Sequence, residues 1–196
     1  KGAENGILIK GGEALEIAGG VDTVVFDKTG TLTEGKPEVM NIREYGKWKT
    51  EQILQIVGSV ENKSEHPLAE SVVRKAKEEK LEFLSVENFS AEVGRGVSAT
   101  VEGKKVLIGN GEFMKENKVS YAELKDDMIA EEEQGRTVLM IAIANEFAGY
   151  MSLADKVKET SKKAIEDLIG LNLIPIMATG DNNKTAEAIA DELGIK

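Results

Sequence analysis

Val21-Asp22-Thr23-Val24-Val25-Phe26 is a short, mostly β-branched run that ends directly on Asp27-Lys28-Thr29-Gly30-Thr31-Leu32-Thr33. Such a run reads as a buried strand, which puts Asp27 at the strand's end and Lys28 to Gly30 in the loop beyond it. In open α/β sheets ligands bind outside the carboxyl ends of the strands. A carboxylate there can attack a phosphoryl group and carry it as an aspartyl-phosphate. Gly30 lets the loop bring backbone amides close to phosphate oxygens as a nest, and Thr29 and Thr31 add hydroxyls. A solvated polar turn is the plainer alternative. Near the other end, Leu173 to Ala178 reads as a second strand, ending in Thr179-Gly180-Asp181-Asn182. That is another loop at a strand's carboxyl end, with a polar helix cap as its alternative.

The 196 residues suffice for one large domain or two small ones. The formal net charge of −10 excludes the basic footprint of non-specific nucleic-acid binding. With no cysteine there is neither a disulfide framework nor a thiolate metal site. No stretch approaches the ~18 apolar residues of a membrane span, so a soluble chain with no membrane insertion of its own is expected.

Between the two loops the pattern changes twice. Apolar residues at Ile53, Leu54, Ile56, Val57 and Val60 mark a helix over 49–60 with Thr50 as N-cap. A second helix is expected from Pro67 to Lys80. Between them lies Ser64-Glu65-His66-Pro67-Leu68-Ala69, which holds the single histidine. Pro67 fixes His66 at a helix start, where free amides favour an anion; a capping turn with an incidental histidine is the alternative. Strands are expected at 89–93, 97–101 and 105–108, with Glu102-Gly103 as a hairpin turn and Gly94-Arg95-Gly96 as a tight turn. Helical turns at 111–117, an acidic helix over 122–134 with a solvated Glu131-Glu132-Glu133 face, and a hairpin around Asn145-Glu146 complete the middle. Helices over 158–168 and 184–193 flank the strand that leads to Thr179.

At Asp27–Thr33, Ser64–Ala69 and Thr179–Asn182 the sequence resembles the P-type ATPases, and Gly6-Ile7-Leu8-Ile9-Lys10-Gly11-Gly12-Glu13-Ala14-Leu15-Glu16 is especially like their heavy-metal (copper- and zinc-type) branch. The resemblance implies an α/β fold. Residues 1–38 and 152–196 would be a Rossmann-like, haloacid dehalogenase-type phosphorylation domain whose C-terminal part is missing. Residues 39–151 would be an inserted α+β nucleotide-binding domain. It implies ATP and Mg²⁺ as cofactors and phosphoryl transfer from ATP to Asp27. Lys28 and Thr179 would hold the phosphoryl charge, and Asp27 with the Thr29 carbonyl would form part of the magnesium shell. His66 would lie against the adenine, Glu61 would accept from its amine, and Gly94 and Gly96 would admit the nucleotide. Asp181 joins the nucleotide-binding set. The partners implied are ATP and the parent pump's own transmembrane and actuator domains, on the cytoplasmic side of a membrane.

Two other classes share some of these residues. A haloacid dehalogenase-type phosphatase with a large cap would use Asp27 and Thr179, but such enzymes carry an aspartate where this chain has Thr29. A nucleotide-binding module without turnover is the other. The resemblance also implies a later magnesium-binding loop, and nothing after Asn182 matches it. Bound nucleotide with poor self-phosphorylation is therefore the expectation for these 196 residues alone.

Overall fold

The computed structural model describes residues 4, 6, 8 and 11–195. The apolar run at 6–12 lies largely outside them. Helix α1 (Gly12–Ala18) leads to strand β1 (Thr23–Asp27), which pairs in parallel with β8 (Ile174–Ala178). Helices α6 (Glu159–Gly170) and α7 (Asn183–Leu193) flank β8 in sequence. Leu32, Ile165, Ile189, Leu193 and Ile195 are buried together here, with Phe26, Val157 and Met177 packed against them. Val25, Ile174 and Ile176 remain exposed. The expectation of a buried first strand is therefore corrected: burial reaches one face of this two-stranded ribbon and not the other.

The chain between these strands forms a six-stranded antiparallel sheet in the order β2-β7-β6-β5-β4-β3. Its strands are β2 (Glu38–Glu44), β3 (Val86–Glu92), β4 (Gly96–Val101), β5 (Lys104–Gly109), β6 (Thr137–Ile143) and β7 (Glu146–Ala154). Side chains alternate across a strand, and here both faces are covered. Val97, Ala99, Val101, Val106, Ile108, Ile141 and Met151 share one core with Ile53, Val57 and Val60 of α2 (Thr50–Glu61) and Val72 of α3 (Pro67–Glu78). Leu107, Met140, Phe147 and Tyr150 face a second core, filled by Phe113 of α4 (Gly111–Glu116) and Met128 of α5 (Lys125–Glu132). A fully buried aliphatic side chain contributes about 1.5–3 kcal/mol, so the inserted sheet has ample material for a core of its own.

Several local expectations are corrected. Lys49, not Thr50, is the N-cap of α2; the Thr50 amide donates to the Glu44 carboxylate at 3.0 Å, and Gln52 accepts from the Lys49 amide. The strand expected at 89–93 begins at Val86, with Asn88 at φ 51° in an irregularity of its pairing, and Val93 lies fully exposed in the turn. The acidic helix over 122–134 is a 3₁₀ turn at Ala122–Leu124 followed by α5. The second hairpin turns at Ala144-Asn145, both at positive φ, and Glu146 already belongs to β7. The Glu102-Gly103 turn stands as read, with both residues at positive φ, as a tight two-residue hairpin requires.

Candidate functional site

Parallel pairing sets Asp27 opposite Ala178, so the loops that follow β1 and β8 leave the sheet side by side. Asp27 is exposed, and its carboxylate accepts no hydrogen bond among the described residues. The chain then turns sharply through Lys28–Leu32, with Gly30 at φ 77°, a conformation that favours glycine. Lys28 is buried, and its Nζ donates to Asp181 Oδ2 at 2.5 Å. A buried ammonium requires such a partner. The Thr179 hydroxyl donates to the same oxygen at 3.0 Å, and the Asp181 amide donates back to Thr179 Oγ1 at 3.1 Å. From β6 of the inserted sheet, the Thr137 hydroxyl reaches Asp181 Oδ1 at 3.4 Å.

A second set of bonds fixes the shape of the first loop. The Thr33 hydroxyl is fully buried, donates to Asp155 Oδ2 at 2.5 Å and accepts from the Gly30 amide at 3.2 Å. The Gly35 and Lys36 amides also donate to Asp155. Lys158 Nζ donates to the Gly30 carbonyl at 2.7 Å, and the Ser161 hydroxyl to the Leu32 carbonyl at 2.8 Å. The returning chain therefore clamps the loop that carries Asp27.

A second candidate site lies at the junction of α2 and α3. Glu61, Asn62, Ser64, Glu65, His66, Pro67, Glu70 and Val73 line an open depression of about 460 Å³. Glu61, the last residue of α2, is buried, and that burial pushes its carboxyl up to about 7 against the lowering effect of a Ser64 hydrogen bond. His66 is exposed and is the N-cap of α3, its Nδ1 accepting from the Leu68 amide at 3.2 Å. This bond holds the ring among the residues that line the depression.

Comparison with known proteins decides the family. Residues 21–196 match the sequence model of the haloacid dehalogenase-like hydrolases. The chain belongs to that family. Across its whole length this haloacid dehalogenase-like hydrolase is 44% identical, over 195 residues, to the copper-exporting P-type ATPase of Staphylococcus saprophyticus, of which it spans 24%. A zinc-transporting PIB-type ATPase solved in its E2.Pi state superposes on 96% of the chain with TM-score 0.67 and 37% identity, and the match covers 30% of that structure. The catalytic domain of the CPx-ATPase CopB-B superposes on 99% with TM-score 0.71 and 25% identity, over 66% of that domain. The likeness to the heavy-metal branch of the P-type ATPases thus runs through the entire chain, and the fold is that of a haloacid dehalogenase-type catalytic region. The chain spans about a quarter of the length of the curated relatives it matches.

Within this hydrolase, the β1–β8 pair brings together Asp27, Lys28 and Thr179, and the junction of α2 and α3 sets Glu61 and His66 around the depression. Asp181 stands with the first group: its partners are Lys28, Thr179 and Thr137. Gly94 and Gly96 do not line the depression. A Cβ at Gly96 would stand 2.2 Å from the Ile108 carbonyl oxygen, so that glycine serves the close approach of β4 to β5. Gly94, at φ 75°, faces open space, and its carbonyl accepts from Asn110 Nδ2 at 2.9 Å. Asn110 also caps α4, its side chain accepting from the Phe113 amide at 3.0 Å. Sequence reasoning missed Asp155, Lys158 and Ser161, whose roles depend on contacts across more than a hundred residues.

Proposed function

We propose that this chain is the catalytic portion of an ATP-driven heavy-metal cation pump, on the cytoplasmic side of its membrane, with residues 39–151 binding the nucleotide and residues 1–38 and 152–196 carrying the phosphorylated aspartate. The observation that carries the reading is Asp27. It is an exposed carboxylate at a strand's end, with no hydrogen-bond partner among the described residues, next to a buried lysine and a threonine hydroxyl gathered from a separate loop. In-line attack by the Asp27 carboxylate on the γ-phosphorus forms the acyl-phosphate bond and releases ADP. Lys28 and Thr179 supply a positive charge and a hydroxyl donor where the equatorial oxygens gather charge. Positioning and electrostatics of this kind account for most catalysis of phosphoryl transfer.

Magnesium fits this chain only as a shared ion. Mg²⁺ prefers hard oxygen ligands, keeps several waters, and is commonly bound through one or two carboxylates together with substrate phosphates. Asp27 and the Thr29 carbonyl are of that chemistry, while no cluster of three acidic, histidine or cysteine side chains suited to a metal occurs among the described residues. Bound there, the ion would neutralise part of the phosphate charge.

For the nucleotide, the depression at Glu61 and His66 offers a ring to stack on adenine and a carboxylate to accept from its exocyclic amine. Stacking on an aromatic ring contributes about 1–3 kcal/mol, so His66→Ala should weaken ATP binding by that amount in calorimetric titration of the 196-residue chain. Unchanged affinity would remove the adenine from this depression. No helix among the described residues is long and apolar enough to cross a membrane, so the metal-conducting path of the proposed pump would lie in other segments.

A further inference from the structure

Asp181 makes more contacts than a helix-capping loop needs. The cap of α7 is Asn182, whose side chain accepts from the Thr185 amide at 3.0 Å. Asp181 points the other way. One of its oxygens accepts from both Lys28 Nζ and the Thr179 hydroxyl, and the other accepts from Thr137 of the inserted sheet. Lys28 Nζ and Thr179 Oγ1 come from residues 151 apart in sequence, yet both converge on a single carboxylate oxygen. The side chains of Lys28 and Asp181 are 9% and 15% exposed, so the pair sits largely out of water, where a charge-assisted bond is strongest.

We propose that Asp181 is a positioning residue, a built-in anion that presets Lys28 and Thr179 as paired donors for a phosphoryl oxygen. The inference rests on the proposed function in one respect, the identity of the group those donors serve. An anionic oxygen that holds both donors at once occupies the geometry that a phosphoryl oxygen would need, so Asp181 and phosphate compete for the same two groups. From the inserted sheet Thr137 adds only a long contact to the other Asp181 oxygen, at 3.4 Å, so the Lys28 and Thr179 bonds carry the arrangement.

Amine labelling of the 196-residue chain by an acylating ester, read at each lysine by peptide mass spectrometry, tests this without nucleotide or turnover. In Asp181→Asn, Lys28 should label about tenfold faster than in the parent, the order expected for loss of a hydrogen bond between charged groups. Lys158, which holds the Gly30 carbonyl of the same loop, should label at its parental rate. Added inorganic phosphate should slow Lys28 labelling in Asp181→Asn much more than in the parent, an effect a merely structural Asp181 would not produce. Asp181→Glu should return labelling towards the parental rate. Unchanged Lys28 labelling would overturn the proposal. So would equal acceleration at Lys28 and Lys158, which would mean that the loop itself had come apart, or equal phosphate protection in both chains. Calorimetric titration of ATP on the parent chain reads the nucleotide site separately, so failure of that assignment would not be mistaken for failure of this one.

Discussion

Glu61 is the residue whose environment says most about chemistry. Burial raises its carboxyl from about 4.5 to about 7, so the folded chain holds a proton there that the unfolded chain has released. The stability this gives is fully present below about pH 4.5 and is lost as pH rises towards 7. Glu61→Gln should therefore unfold at a higher temperature than the parent at pH 8 and show a flatter dependence between pH 5 and 8; parallel melting curves for the two chains would contradict this. The same proton bears on nucleotide choice. At the proposed nucleotide site the ionised carboxylate would accept from the adenine amine, whereas a guanine would set a carbonyl oxygen against it. Preference for ATP over GTP should grow as pH passes through 7, and equal affinities at pH 8 would make Glu61 an onlooker. Asp27, Lys28, Thr179 and His66 were legible in the sequence because each lies in a short contiguous motif. Glu131 was misread as a solvated face. It is buried; burial raises its carboxyl, but hydrogen bonds led by Asn41, together with the Arg136 guanidinium, outweigh that and hold it below the usual carboxylate range. Asn41 is 90 residues away in sequence, and no local pattern could announce it.

At the scale of elements, periodicity found α2, α3, α6 and α7, because each buries one face, while β6 and β7 showed as apolar runs because the sheet is covered on both faces. It failed at boundaries it does not read: Lys49 caps α2 through Gln52 and Glu44, and Leu124, buried in the second core, interrupts the acidic helix. The glycines after β3 show how a motif can join two purposes. At Gly96 a Cβ would meet the Ile108 carbonyl and the Gly109 Cα, at 2.2 and 2.7 Å, and neither backbone atom can move without parting β4 from β5. Gly96→Ala should destabilise the inserted sheet by roughly 1–3 kcal/mol, the range for overpacking. Gly94→Ala meets open space and carries only the ~1–2 kcal/mol of a left-handed backbone. Denaturant titration of the two variants should rank them in that order; a Gly96→Ala chain as stable as the parent would mean that the strands can separate freely. ATP titration of Gly94→Ala reads whether the nucleotide approaches this turn.

The whole molecule is a chain that leaves one small parallel ribbon, builds a larger sheet, and returns. The corner at α5 and β6 rests on α7: Asn182 Nδ2 donates to Glu132 at 3.0 Å, Lys184 pairs with Glu133 at 3.0 Å, and the Thr185 hydroxyl donates to the Arg136 carbonyl at 2.9 Å. Gly135 lies against Ile189, where a Cβ would come within 2.8 Å. The ion pair is exposed and weak, but Thr185 is fully buried. Thr185→Val should cost about 1 kcal/mol and speed amide exchange in α7 and β8, leaving β4 to β7 protected by their own cores. Uniform acceleration would mean that the two sheets unfold as one. In the proposed reaction nucleotide and nucleophile would lie on different sheets, and a corner of this kind would set their approach. The most direct measurement is the fate of γ-labelled ATP incubated with the proposed full-length pump. An acid-stable, hydroxylamine-labile label should map to the peptide containing Asp27 and disappear in Asp27→Asn. A label on any other residue, or one that survives in Asp27→Asn, would contradict phosphoryl transfer to Asp27.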